Sequence, residues 1–272
     1  MKLSTSTLNR IIDVCTKKEI DLLIYIGQFQ NGYGEVVGIN YQDAIENINV
    51  SKSTFYQLLA SLESKNIIRI NNSSVHGWWA ITILDNVFAS EADWKKGYVK
   101  LNYEILHSDT FKEMTKGEKI IILNLLKLHD RNSNYIKITY HRLMEWTGKS
   151  KRSVRKFIST ISGVFAGVFK SIVKQEGNLC YFSTHAFNSR SKFEKDTLLE
   201  HMINYSEKST KSEEADEQEV KDTISVLKPL LGRFNCETEI IMNILSTTLR
   251  NLGRLVPKYI NTLSQVAKSA SL

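Results

Sequence analysis

Cysteine is scarce in this chain. Cys15, Cys180 and Cys236 lie far apart, are odd in number and form no CxxC. That excludes a disulfide framework and points to a reduced, intracellular protein. No apolar run approaches membrane-spanning length, and residues 1–15 lack the apolar core of a signal peptide. The expectation is a cytoplasmic chain with no membrane partner. HxH, HExxH and GxxxxGK[ST] are all missing, and Gly32-Tyr33-Gly34 reads as a turn. Cys180 and His185 come nearest to a ligand pair, but a buried cysteine is the simpler reading of Cys180. No catalytic residue, cofactor or metal is therefore expected. The two prolines, Pro229 and Pro257, fall near the C-terminus, where they break helices.

What is present centres on residues 138–161, ITYHRLMEWTGKSKRSVRKFISTI. It reads as a helix, a turn at Gly148 and a second helix with Ser150 as N-cap. Val154, Phe157, Ile158 and Ile161 recur at i, i+3, i+4 and i+7, the spacing of one buried face. Lys151, Arg152, Ser153, Arg155, Lys156 and Ser159 must then face outward, with no acid among them. This is the pattern of a helix-turn-helix whose second helix suits phosphates and base edges.

Residues 39–62, INYQDAIENINVSKSTFYQLLASL, align with that stretch at a constant offset of 99 residues and without a gap. Ile39 pairs with Ile138, Tyr41 with Tyr140, Glu46 with Glu145, Ser51 with Ser150 and Lys52 with Lys151. The apolar set Phe55, Leu58, Leu59 and Leu62 pairs with Val154, Phe157, Ile158 and Ile161. Shared capping and spacing at a fixed offset indicate a duplicated module.

The chain's net charge is +7. Residues 142–174 carry eight Lys and Arg against Glu145 alone, which equals the whole excess, whereas residues 39–70 sum to zero. The second copy is expected to supply most of the attraction to a polyanion.

Around each copy the order repeats. Thr16-Lys17-Lys18-Glu19 and Thr115-Lys116-Gly117-Glu118 are capping boxes before apolar helices. A helix over 8–14 precedes the first. Short strands are expected over 36–39 and 135–139, and hairpins over 67–70 with 79–83 and over 165–173 with 179–183. Trp78, Trp79, Trp94 and Trp146 read as core or hairpin packing. Residues 94–111 are too aromatic for a tether and read as an ordered connector. Residues 206–219 hold six acids against two lysines and read as a solvated linker or an exposed helix start. Helices follow over 220–227, 237–252 and 258–268.

The expected fold is mainly α with small β-wings. It comprises a winged helix-turn-helix over 1–92, a second over 93–188, a linker over 189–219 acidic at its end, and a C-terminal helical unit over 220–272. That last unit is too small for much core of its own, so it is expected to dock on a second subunit or on a replication or transcription protein.

Gly97-Tyr98-Val99-Lys100-Leu101, then Ile105-Leu106-His107-Ser108 and Phe111, then Leu123, Leu125 and Leu126, resemble the opening of phage replisome organisers. His107 stands where that family more often has Asp. The tandem arrangement is similar to theta-type plasmid replication initiators. These resemblances imply binding of double-stranded DNA at an origin or operator, with a nucleoid- or plasmid-associated location. The expected contacts in the first copy are Lys52, Ser53, Thr54, Tyr56 and Gln57. Those in the second are Lys149, Lys151, Arg152, Ser153, Arg155, Lys156 and Ser159, with Lys170 and Lys174 on the wing. A transcriptional regulator and a protein-interaction scaffold are the alternatives. The paired-histidine motif and nucleophilic tyrosine of a rolling-circle initiator are not found.

Overall fold

The computed structural model describes residues 1–71, 75–101, 103–129, 135–169, 174–183, 194–232 and 235–270. Helix makes up 63% and strand 14% of it, a mainly helical chain with small sheets. β1 (Lys2–Ser4), α1 (Thr5–Val14) and α2 (Lys17–Gly27) lead to β2 (Glu35–Asn40), α3 (Tyr41–Ile48) and α4 (Lys52–Ser64). The hairpin of β3 (Ile68–Asn71) and β4 (Trp78–Ile83) follows. Next come α5 (Glu91–Lys95), β5 (Tyr98–Lys100), α6 (Tyr103–Leu106) and α7 (Asp109–Glu113). The first order then recurs as α8 (Lys116–Leu128), β6 (Tyr135–Thr139), α9 (Tyr140–Thr147), α10 (Lys151–Phe169), β7 (Lys174–Glu176) and β8 (Leu179–Ser183). The chain closes with α11 (Glu194–Thr210), α12 (Glu217–Leu227), α13 (Thr238–Leu252) and α14 (Pro257–Ala270).

The duplication holds in three dimensions. One sheet has the strand order β2-β4-β3 and the other β6-β8-β7. The offset of 99 reaches back to the capping boxes. Thr16 N–H donates to Glu19 Oε2 at 2.5 Å, and Thr115 N–H to Glu118 Oε2 at 2.7 Å. Each box satisfies backbone donors that a helix start leaves unpaired. In the sheets, Ile39 pairs with Trp79 and Ile138 with Cys180, so the last strand lies at an offset of 101. β3 and β7 lie at an offset of 103, so four residues are gained at the end of the second helix and two are given back before the last strand. α4 stops at Ser64, whereas α10 runs on to Phe169. The hairpin arm expected over 165–173 is therefore helix as far as Phe169. Gly163 and Gly167 do not end it, because glycine inside a helix costs only about 1 kcal/mol. Lys170 lies outside the described residues.

The chain divides into two compact units, Met1–Ile24 with Gly97–Ser191, and Tyr25–Lys96 with Lys192–Leu272. Neither unit is continuous in sequence. In the first unit β1 pairs antiparallel with β5, Leu3 opposite Val99, and α1 packs on α8. The first 24 residues thus fall in the same compact unit as the second copy. Lys119 on α8 is fully buried, its ammonium against the Asp21 carboxylate of α2. Burial brings Lys119 down to about 8 and raises Asp21, so α2 and α8 are joined through a charge pair taken out of water.

In the second unit the stretch expected as a linker is mostly helix. α11 buries Leu198, Leu199, Met202 and Ile203 with Leu227, Ile241, Leu245, Leu249 and Ile260 of the helices that follow. The C-terminal helices thus share a core that α11 completes. The acid-rich segment turns tightly because Glu207, itself buried, accepts the Ala215 N–H at 3.0 Å.

The same helices dock on the first copy's sheet. Val37 of β2 packs on their core. His201 stacks on Phe29, ring centroids 3.9 Å apart, and Tyr205 meets Trp78 edge-on at 5.2 Å. Gly38 admits Tyr205, since a Cβ there would lie 2.8 Å from the Tyr205 ring. Asn31 Nδ2 donates to Thr238 Oγ1 at 3.1 Å.

His201 is 8% exposed and its Nε2 donates to the Gly38 carbonyl. Burial brings its pKa down to about 4 from 6.5. A histidine held neutral in the fold stabilises it fully above the unfolded pKa, and that contribution is lost as pH falls from 6.5 towards 4. Linkage puts the loss between pH 7 and pH 5 at about 2 kcal/mol for this site. Urea unfolding followed through the tryptophans is expected to show that drop. His201→Leu is expected to start from lower stability at pH 7 and to lose that part of the pH dependence. An unchanged slope in the variant would mean that other groups carry it.

Candidate nucleic-acid interface

In each copy the two central helices meet at a residue in the left-handed region, Asn49 (φ 50°) in the first and Gly148 (φ 61°) in the second. Ser51 Oγ then accepts from Thr54 N–H at 3.2 Å, and Ser150 Oγ from Ser153 N–H at 3.4 Å, starting the second helix at the expected residue. Phe55, Leu58, Leu59 and Leu62 are buried in one copy, and Val154, Ile158 and Ile161 in the other. Phe157 is only half-buried, lying against α8 at Gly117.

Burying that face turns the other outward. On α10, Arg152, Arg155, Lys156 and Ser159 are exposed, Lys151 and Ser153 half-exposed, and Lys149 is exposed in the preceding turn. None of the five cations is paired with a described carboxylate. Glu145 is occupied on α9 by Arg142 at 3.2 Å and His141 at 3.4 Å. Lys174 opens β7 on the adjoining hairpin.

Tyr140 organises this face from beneath. It is buried at the start of α9, and its N–H donates to the Asn178 carbonyl at 3.0 Å. Lys151 Nζ lies over its ring at 5.3 Å and the Arg155 guanidinium at 5.8 Å. Lys151 Nζ also donates to Asn178 Oδ1 at 2.8 Å. Burial and the neighbouring Cys180 thiol push the Tyr140 phenol above its ordinary value. Asn178 lies just before the hairpin arm expected over 179–183, a position with no expected role. The repeated tyrosine at 41 and 140 was the sequence signal that this position matters.

On the first copy, Lys52, Ser53, Tyr56 and Gln57 are exposed on α4 and Thr54 is half-exposed. Tyr41 again lies beneath, its N–H donating to the Gly77 carbonyl at 3.1 Å and its ring under Lys52 Nζ at 4.7 Å. Tyr56 meets Trp79 edge-on at 5.6 Å. Trp79 is half-exposed, unlike its buried neighbour Trp78. The two outward helix faces belong to different units of the chain.

Other chemistry finds little support. Cys15, Cys180 and Cys236 are free thiols. Among the described residues no three His, Cys, Asp or Glu side chains gather to hold a metal ion, and His185 lies outside them. No described helix is long and apolar enough to cross a membrane.

The seat of α10 depends on Gly117. A Cβ there would lie 2.5 Å from the Phe157 ring. Gly117→Ala is therefore expected to destabilise the first unit by about 1–3 kcal/mol through overpacking. Leu58 replaces Phe157 in the other copy, so adding Phe157→Leu is expected to restore most of the loss. Thermal unfolding of the single and double variants checks this, and an unperturbed single variant would show that Phe157 swings aside freely.

No protein-family model, curated protein or solved structure matches the chain.

Proposed function

We propose that this chain binds double-stranded DNA in a sequence-specific manner and without catalysis, through two winged helix-turn-helix modules. The observation that carries the reading is the face of α10, where Arg152, Arg155 and Lys156 stand exposed beside a hairpin with no described acid to neutralise them. A solvated helix usually interleaves both signs, whereas phosphate contacts need one sign on one face. Arg152 and Arg155 are the readers of guanine by their forked donors, and Gln57 in the first copy suits adenine. Lys149, Lys151, Ser153, Lys156 and Ser159 serve the backbone. The resemblance to replisome organisers and theta-type initiators makes origin recognition on a plasmid or phage the favoured role, within the cytoplasm. Protection of a repeated motif beside its own gene favours this role. Protection confined to promoters favours transcriptional regulation instead.

Four to eight phosphate contacts imply that log affinity falls against log salt with a slope of roughly −4 to −7. Fluorescence anisotropy with a labelled duplex measures it, and a flat dependence would leave protein interaction as the better reading. Arg152→Ala combined with Arg155→Ala is expected to weaken duplex binding on the order of 100-fold. Lys52→Ala with Gln57→Ala is expected to cost less. Equal losses would show that the charge excess does not mark the dominant module.

A further inference from the structure

The two copies differ at the place where the second helix faces the hairpin. In the first copy this place is a cleft of about 370 Å³ lined by Tyr41, Lys52, Tyr56, His76, Gly77 and Trp79 among others. That volume falls within the range of small-ligand sites. Strand pairing places Trp79 where the second copy has Cys180, because their partners Ile39 and Ile138 are equivalent. At the offset of 99, Tyr56 stands where the second copy has Arg155. Gly77 and Asn178 are equivalent as well, each carbonyl accepting the N–H of the tyrosine that starts the preceding helix. Three lining positions have therefore diverged together. In the second copy, Arg155 and Lys151 lie over the Tyr140 ring, and Asn178 Oδ1 accepts from Lys151 Nζ. In the first, glycine leaves the space open and aromatic rings wall it.

We infer that this cleft binds an unpaired nucleobase together with its phosphate. Tyr56, 37% exposed, and Trp79 offer ring surface to a planar group, and Lys52 supplies a cation beside them. No described residue takes up the Tyr56 hydroxyl or the His76 ring, which leaves both free to bond a base edge. Stacking needs no charge excess and tolerates any base, which fits a module whose helix and hairpin sum to zero charge. A double-stranded site presents no free base faces, so the ligand is either an unpaired nucleotide of a strand or a free nucleotide. The inference does not rest on duplex binding by α10, because the cleft and that helix share no residue.

Tryptophan fluorescence of the full chain, titrated with a strand of about twelve thymidines and separately with thymidine 5′-monophosphate, tests it. The strand is expected to quench with a salt slope near −1, set by one or two phosphates. Tyr56→Ala and Lys52→Ala, both at exposed positions, are expected to weaken that binding about tenfold while leaving thermal unfolding unchanged. If the monophosphate quenches as well as the strand does, the same chemistry is served by a free nucleotide. No quenching by either ligand overturns the inference. So does quenching that survives both substitutions, since the strand would then be held by the basic face of the other copy. Duplex affinity measured on α10 variants is a separate reading, so either proposal can fail alone.

Discussion

What the chain offers to its surroundings is fixed by one packing demand, that α4 and α10 each bury a stripe of side chains at i, i+3, i+4 and i+7. Phe55, Leu58, Leu59 and Leu62 meet it in one copy, and Val154, Ile158 and Ile161 in the other. Burying such a side chain is worth about 1.5–3 kcal/mol, whereas a solvent-facing charge contributes a fraction of that. Rotation of the helix about its axis is therefore decided by the apolar stripe. The charged residues go where that rotation leaves them. Evolution of the outward face could then proceed almost independently of the fold, and the copies show it: one stripe chemistry, two unlike exteriors.

The same demand explains what could be read without coordinates. The capping boxes, the Ser51 and Ser150 caps, the turn at Gly148 and the strand over 135–139 are local, each decided within about four residues by backbone donors and short periodicity. The misses are all non-local. β1 has three residues, too few to show alternation, and its pairing with β5 spans nearly a hundred positions. α10 continues past Gly163, glycine being a weak helix breaker. α11 carries Leu198, Leu199, Met202 and Ile203, but the acids that follow over 206–219 give that stretch the composition of a tether. Glu207 is an acid in sequence and a buried acceptor in the fold.

At the candidate interface the residue types on the helices were legible, since facing follows from the stripe. Their supports were not. Asn178 and Gly77 matter through a backbone carbonyl that receives Tyr140 or Tyr41, a contact across the sheet that no spacing rule reports. Trp79 looked like hairpin packing because strands alternate, and only its register against Ile39 shows which side it takes.

The tyrosine beneath each outward face has a further consequence for how the two copies hold their cations. A free lysine gives up roughly 1–2 kcal/mol of rotamer freedom when it settles on a phosphate. Lys151 has already given up much of it, held between the Tyr140 ring and Asn178 Oδ1, and Arg155 lies over the same ring. Lys52 has the ring of Tyr41 alone. The second copy is thus better pre-organised for an anion as well as more highly charged, and pre-organisation lowers the ordering cost of association. Charge without the Tyr140 and Asn178 scaffold would attract a polyanion at long range but position it poorly. The scaffold holds donors fixed on one face, the arrangement that positioning a phosphate backbone would require.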